Sequence, residues 1–234
     1  MSTRYAVYFA PEKFSPWWMF GAHWLGRDEC DGVALTQPQL EDIPPQELQR
    51  LTVEPRRYGF HATLKAPFRL AEGCDEETLL TRLRTLAKTL SPLQLGPLRA
   101  NMLSNFVALV PENVTTGLQE LAASCVISLD DLRAPLSKDD VFKRQADKLD
   151  TRGAELLALY GYPHVMERFR LHMTLTGPTD KPTAQCVQHA VATAVARLNT
   201  EAPLALDRLC LFVERTPGVA FLRIADIPLQ GIEK

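Results

Sequence analysis

The sequence predicts a mixed α+β fold in which one strand, one helix and one hairpin follow each other twice. Two strings, YGFHATLKAPF (58–68) and FRLHMTLTGP (169–178), alternate apolar and polar residues as half-buried strands do. Each is followed by a segment with apolar residues at helical spacing and then by two short apolar runs around a turn. His172 lies 111 residues after His61, and the hairpins recur at nearly the same offset, which indicates an internal duplication.

The elements before the first histidine can be assigned in order. Residues 4–12 alternate aromatic and β-branched side chains, which predicts an opening strand. Ser15, followed by a proline, marks the start of a helix over 16–25. Residues 26–57 are rich in Pro, Asp and Gln, so we interpret them mostly as loop, with one turn of helix near 46–51.

The later elements complete the two units. The leucine stripe of 75–90 and the valine stripe of 180–198 each predict an amphipathic helix. Short apolar runs on either side of Ser104 predict the first hairpin, and those on either side of 216–218 predict the second. Residues 114–160, which lie between the units, are mostly helical in their pattern.

Composition and charge restrict the function. The chain has 234 residues, of which 46% are hydrophobic and 23% charged, as is typical of a globular protein. Its net charge of −2 gives no sign of a long nucleic-acid footprint, so we expect a small ligand. Five scattered cysteines without a CxxC pair, and the lack of a membrane-length apolar run, predict a cytoplasmic protein with no membrane role.

Strand alternation places both histidines on polar faces. The polar faces carry, in the first string, Arg57, His61, Thr63 and Lys65 and, in the second, Arg170, His172, Thr174 and Thr176. The opposite faces are apolar and carry Phe60, Ala62, Leu64 and Ala66, and Phe169, Leu171, Met173 and Leu175. A half-exposed antiparallel strand explains one such pattern without any function. Two copies of His-x-Thr-Leu in a chain with five histidines favour a shared site.

Two histidines and two threonines suit the chemistry of a phosphodiester. If pseudo-twofold symmetry brings the two strands face to face across a cleft, one imidazole serves as base and the other as acid. The pattern leaves open which is which. The hydroxyls of Thr63 and Thr174 would donate to non-bridging oxygens, and Lys65 would offset the phosphate charge. One of three arginines would assist: Arg56, Arg57 or Arg170. No HxHxD, HExxH or HD pair is present, so we expect neither a metal nor a cofactor.

The strings HATL (61–64) and HMTL (172–175) resemble the two HxTx signatures of the two-histidine (2H) phosphoesterase superfamily, which includes 2′-5′ RNA ligase-like proteins and cyclic phosphodiesterases. The resemblance implies a bilobal α+β fold with antiparallel sheets lining a central cleft and helices packed outside. We therefore expect one bilobal domain over 1–234, with repeats of about 1–112 and 113–234. The resemblance also implies metal-independent cleavage or formation of phosphodiester bonds, often at 2′,3′-cyclic phosphates.

Longer strings resemble one branch of that superfamily. They are YFAP (8–11), WLGRD (24–28) and RRYGFHATLKAPFRL (56–70), and the branch is the one named for phosphonate metabolism. In that setting the substrate would be a ribose cyclic phosphate, produced when carbon–phosphorus bonds are broken. This expectation comes from the resemblance alone.

Other residues are candidates for substrate contact. His164 lies in a loop eight residues before the second motif histidine, and Tyr58 and Thr176 flank the two motifs. Tyr5 and Tyr8 lie on opposite faces of the opening strand, so at most one of them lines the cleft. The sequence does not decide between them.

Three functions are compatible with the sequence. The favoured one is a cyclic phosphodiesterase, a hydrolase in which water attacks the phosphorus of a small phosphorylated substrate. The second is a module that binds a nucleotide or a phosphorylated sugar without turning it over. The third is an enzyme that processes or ligates RNA ends; its partner would be a short RNA, but the net charge of −2 does not indicate a basic groove.

Overall fold

The computed structural model describes residues 3–113, 116–144 and 148–231. Seven α-helices lie in these ranges: α1 (Pro16–Leu25), α2 (Pro45–Arg56), α3 (Glu76–Ala87), α4 (Thr116–Ile127), α5 (Lys138–Lys143), α6 (Thr151–Tyr160) and α7 (Lys181–Glu201). Nine strands accompany them: β1 (Arg4–Phe9), β2 (Ala62–Phe68), β3 (Leu93–Gln94), β4 (Leu98–Leu103), β5 (Phe106–Pro111), β6 (Met173–Thr174), β7 (Ala205–Leu206), β8 (Arg208–Glu214) and β9 (Leu222–Pro228). The predicted mixed α+β class is confirmed.

Seven of the strands form one antiparallel sheet in the order β4-β5-β6-β2-β1-β8-β9, and β3 pairs with β7 separately. The two motif strands, β2 and β6, are therefore neighbours at the centre of a single sheet. The sequence had suggested two sheets that face each other across a cleft. The bilobal arrangement with duplicated lobes is not confirmed and stays a prediction.

The main core covers one face of this sheet. The predicted apolar stripes are buried there: Leu79, Leu83 and Leu86 of α3 and Val187, Val191 and Val195 of α7. They pack with the apolar faces of both motif strands, since Ala62 and Met173 are fully buried. Burial at about 25 cal/mol per Å² of apolar surface makes this the main source of stability. The other face carries the polar side chains of the motif strands and a second, smaller apolar cluster that includes Tyr8, Phe212 and Phe221.

Helix starts follow the predicted capping chemistry. Ser15 caps α1, Asp75 caps α3 and Asp180 caps α7, and in each case the side-chain oxygen accepts a hydrogen bond from a backbone N–H of the first turn. The mostly-loop interpretation of 26–57 is wrong for its last third, where α2 makes three turns. That helix contains two prolines and buries a narrow stripe that includes Leu48 and Leu51, so its periodic signal is weak.

Membrane insertion through a helix finds no support in the structure. Within the ranges given above, no helix has the length and apolar character needed to cross a bilayer.

Candidate active site

The register of the two central strands gathers the four motif side chains. Ala62 of β2 is paired with Met173 of β6. Continued by one residue on each side, this antiparallel register sets Thr63 opposite His172 and His61 opposite Thr174. All four side chains lie on the face away from the main core. Diagonal neighbours on such a face are about 7–8 Å apart between backbone positions, so His61 and His172 lie near each other, and the charge of His172 acts on His61.

Both histidines are held by the same local hydrogen bond. The Nδ1 of His61 lies 2.9 Å from the carbonyl oxygen of Gly59, and the Nδ1 of His172 lies 2.8 Å from that of Arg170. Each carbonyl belongs to the residue two positions earlier, and a carbonyl only accepts, so Nδ1 carries the proton. In each ring Nε2 is then the atom available for chemistry.

Gly59 is required for the first of these bonds. Its φ of +79° is in the left-handed region, and a Cβ at this position would lie 2.5 Å from the Cβ of Glu29. A larger residue would therefore be strained and would also collide with a buried side chain. The carbonyl that orients His61 depends on glycine at this turn.

His61 lies against an aromatic cluster. Its ring stacks on Tyr8 with 3.8 Å between ring centroids, and Tyr8 packs in turn on Phe212 and Phe221. The Thr63 hydroxyl is 3.2 Å from Nε2 and donates to it. The pKa of His61 is lowered to about 4: burial is the main cause, the Gly59 carbonyl opposes it, and the charge of His172 makes a smaller contribution in the same direction as burial. His61 is thus neutral near pH 7.

His172 opens onto a cavity of about 780 Å³ that Thr63 also lines. Its only ring neighbour within the described ranges is Phe106, at 5.8 Å between centroids. His164 lines the same cavity, and burial lowers its pKa, with smaller contributions from the charges of Arg168 and His172. The cavity thus brings together two of the predicted histidines and one predicted threonine.

Arg170 is the available cation of this cavity. The lining contains two arginines, but Arg168 forms an ion pair with Asp150 at 2.7 Å. Arg170 is exposed, and no ion pair of its guanidinium is found among the residues described. Its carbonyl orients His172, so its side chain starts next to the predicted reaction centre.

The structure does not bring Lys65 to the histidines. Tyr8 pairs with Thr63, but the next residue back, Val7, pairs with Lys65, so β2 contains one extra residue here. This bulge shifts the alternation and places Lys65 on the face of Val7. The Lys65 ammonium is buried, 3.0 Å from the Val126 carbonyl and 3.2 Å from Asp130. Burial lowers the pKa of Lys65, and the charge of Asp130 partly opposes this change.

Two other predicted arginines hold the backbone in place. Arg56 donates to the carbonyl of Leu25 at 2.6 Å and to the Thr52 hydroxyl at 2.9 Å. Arg57 forms an ion pair with Glu214. Neither guanidinium lines the cavity of His164 and His172, which we call the histidine cavity; His61 and Thr174 lie beside it and are not among its lining residues.

The last two candidates flank the site without lining the cavity. The fully buried Thr176 hydroxyl accepts a hydrogen bond of 3.0 Å from the Val107 amide. Tyr58 stacks on Phe221 at 5.3 Å between centroids, and its ring centroid is 6.2 Å from that of His61. Tyr58 thus belongs to the wall behind His61.

A family model described as "Protein of unknown function (DUF1045)" matches residues 63–222, which is more than half of the chain. The chain belongs to this family. The match begins two residues after His61 and includes His172. The DUF1045 match therefore covers most of the central sheet and the whole second motif.

Two curated relatives of this DUF1045 chain are both named "Ribose 1,5-bisphosphate phosphokinase PhnN". The one from Janthinobacterium sp. (strain Marseille) is 39% identical over 232 residues, which are 98% of this chain and 51% of the relative. The one from Laribacter hongkongensis (strain HLHK9) is 36% identical over 218 residues, which are 93% of this chain and 50% of the relative. The chain spans about half the length of these relatives.

Sequence reasoning missed two aromatic contributors to the site, Tyr8 and Phe106. Alternation alone left Tyr5 and Tyr8 equivalent, and only the pairing of Tyr8 with Thr63 shows which one faces His61. Phe106 belongs to the first hairpin, and its ring contact with His172 joins two segments that are far apart in the sequence. Among the described residues of this DUF1045 protein, no group of three or more His, Cys, Asp or Glu side chains is placed to hold a metal ion.

Proposed function

We propose that this chain is a phosphodiesterase that opens a small cyclic phosphate by acid and base catalysis of His61 and His172. The observation that carries the proposal is the repeated geometry of the two rings. Each donates Nδ1–H to the carbonyl two residues before it. Each therefore presents Nε2 on the same face of neighbouring strands.

We assign His61 as the base, because burial keeps its ring neutral near pH 7. Its Nε2 takes a proton from water as the water oxygen bonds to phosphorus. The ester bond to the leaving sugar oxygen breaks, and His172 Nε2–H protonates that oxygen. Proton exchange with solvent restores both rings. Each such transfer typically contributes about 10²- to 10⁴-fold in rate.

The remaining polar groups hold the phosphate. The Thr63 hydroxyl donates to His61 in the free protein, and on substrate binding it would turn to a non-bridging oxygen, which frees the base. Thr174 lies opposite His61 and would do the same from β6. Arg170 supplies the positive charge that Lys65 was predicted to supply, since the Lys65 ammonium is bound to Val126 and Asp130.

We infer that the substrate is a phosphorylated ribose or a nucleoside cyclic phosphate, with a place in phosphonate metabolism. The relatives' name refers to a phosphorylated ribose, and a cavity of about 780 Å³ is in the usual size range for a small ligand. We do not transfer the kinase activity. The sequence has no G-x-x-x-x-G-K-[ST] loop for ATP phosphates, and the chain accounts for only about half of each relative.

The test is hydrolysis by purified, EDTA-treated protein of nucleoside 2′,3′-cyclic phosphates and ribose 1,2-cyclic phosphate, followed by phosphorus NMR. The expected result is a single phosphomonoester product, formed at the same rate with and without chelator. Its regiochemistry identifies the oxygen that His172 protonates. Binding of these compounds without turnover would overturn the proposal in favour of a non-catalytic module.

A further inference from the structure

A second cavity adjoins the histidine cavity. Ala66, Tyr162 and Val165 line both, so the two spaces meet along a common wall. The second cavity is lined by five basic side chains, Arg4, Lys65, Arg69, Arg133 and Arg144. Among the described lining residues, Asp140 is the one acid. In a chain with a net charge of −2, this is a marked concentration of positive charge. We call it the arginine cavity.

The carboxylates around the arginine cavity do not balance its cations. Glu214 is shared by Arg4 and Arg57, so one negative charge serves two arginines. Asp130 is shared in the same way by Lys65 and Arg133. The cluster is therefore left with an excess of positive charge. Cations in such a cluster are stabilised when an anion enters.

Arg144 is the cation with the fewest partners. Within the described ranges it has no ion pair; it donates one hydrogen bond of 3.1 Å to the Pro67 carbonyl. Its guanidinium carbon lies 5.1 Å from the centroid of the Tyr162 ring, in the wall between the cavities. Burial lowers the pKa of Arg144; Tyr162 and the charge of Asp140 oppose this change, and the charges of Arg4 and Arg133 add to it. A guanidinium has five N–H donors, and among the described residues only one bond of Arg144 is found, which leaves donors for a ligand.

We propose that the arginine cavity binds a second phosphate group of the substrate, a phosphate monoester, while the cyclic phosphate lies at His61 and His172. The planar guanidinium of an arginine can bind two phosphate oxygens at once, so a cluster of arginines suits a phosphate group better than an apolar group. The free volume of about 20 Å³ is on the scale of one or two water molecules, so a phosphate group would enter only as the lining side chains move apart, and a sugar ring is excluded. The ring would therefore stay in the histidine cavity, with the second phosphate passing the Tyr162 wall.

This inference deepens the proposed function and rests on it for the reaction, but its binding step can be tested alone. The probe is ribose 5-phosphate, which carries a monoester and no cyclic phosphate, and the measurement is isothermal titration calorimetry. Arg144→Met keeps the stem that packs on Tyr162 and removes the charge. We expect its affinity to fall by about tenfold or more. Arg144→Lys, which keeps the charge and loses the fork, should lie between Arg144→Met and the wild type.

Two controls locate the binding. Arg197→Met on α7 removes an exposed arginine that lines neither cavity, and its affinity should equal that of the wild type. Arg170→Met tests whether the probe sits in the histidine cavity instead. A loss in Arg170→Met with none in Arg144→Met would overturn the proposal, as would a wild-type protein that does not bind ribose 5-phosphate. Thermal melting shows whether each variant folds. If Arg144→Met does not fold, the affinity of Arg144→Lys is compared with that of the wild type instead.

A turnover arm separates this inference from the proposed function. Adenosine 2′,3′-cyclic phosphate is compared with the same compound carrying a 5′-phosphate. The 5′-phosphate should raise kcat/KM by about tenfold or more in the wild type and by much less in Arg144→Met. Equal hydrolysis of the two compounds would overturn the second phosphate site and leave the phosphodiesterase intact. Arg144-dependent binding of ribose 5-phosphate without any hydrolysis would do the reverse.

Discussion

The two histidine motifs have the same local structure and different surroundings. In both, Nδ1 bonds the carbonyl two residues earlier. His61 is stacked on Tyr8 and backed by a buried aromatic cluster. His172 precedes a strand of two residues and faces a large cavity. The repeated motif thus fixes how each ring is oriented, while the neighbours of each ring decide how easily it takes a proton.

The different surroundings of the two histidines favour different catalytic roles for them, which the sequence left open. A pair of identical imidazoles would compete for one role at any pH. A ring whose pKa is lowered to about 4 is instead kept neutral, as a base requires.

Removal of either imidazole should have the largest effect. We expect His61→Gln and His172→Gln each to lower kcat/KM for a cyclic phosphate by about 10²- to 10⁴-fold, because each loses one proton transfer. His189→Gln is the matched control, since His189 is exposed on α7 and should leave turnover unchanged. Steady-state kinetics measures all three. Near wild-type rates in either motif variant would remove that residue from the mechanism.

The lowered pKa of His61 predicts a dependence of stability on pH. The unfolded chain binds the proton at about pH 6.5, whereas folded His61 binds it only near pH 4. This contribution is therefore fully present above pH 6.5 and is lost as the pH falls towards 4, by on the order of 3 kcal/mol. Urea unfolding at several pH values should show this loss in the wild type and not in His61→Gln. Parallel curves for the two proteins would contradict it.

The stack on Tyr8 should account for part of the lowered pKa. Tyr8→Leu opens the site of His61 to water, so we expect the pKa of His61 to rise towards its ordinary value. Tyr8→Phe keeps the ring and is the control, and it should leave the pKa where it is. NMR titration of the His61 ring protons measures both. The acid limb of the pH profile of kcat/KM should move in the same direction in Tyr8→Leu only.

Substitution of Thr174 in β6 should affect turnover, whereas substitution of Thr176, two residues later, should affect stability. Thr176→Val leaves the Val107 amide unpaired in the core, which should cost about 1–3 kcal/mol of unfolding free energy with little change in turnover. Thr174→Val should do the opposite, because that hydroxyl lies on the polar face. Thermal unfolding and kinetics on both variants decide the matter. A kinetic loss in Thr176→Val without any loss of stability would place its hydroxyl at the substrate.

Elements whose sequence signal is local were predicted well. The cap of α1, the apolar stripes of α3 and α7 and the hairpin β4-β5 agree with the structure. The apolar faces of both motif strings are buried, as alternation predicted. These features depend on neighbours a few residues apart, which the sequence shows directly.

Features that depend on pairing between distant segments were not predictable in the same way. The bulge that moves Lys65 away from Thr63 appears only in the register of β1 against β2. The choice of Tyr8 over Tyr5 also depends on that register. The second motif string was predicted as a full strand, yet only Met173–Thr174 pair as β6. Strict alternation cannot detect an extra residue, because every position after it changes face.

The single residue pair that joins β2 to β6 has a mechanical consequence. Ala62 with Met173 is the whole ladder between these strands, whereas β4 and β5 share six pairs. The sheet is thus joined at its middle by this one pair, with β4, β5 and β6 on one side and β2, β1, β8 and β9 on the other. A slight rotation of one side about this pair would change the distance between the imidazoles of His61 and His172 and leave the strand pairing within each side intact. The same two imidazoles would then bind substrates of different width.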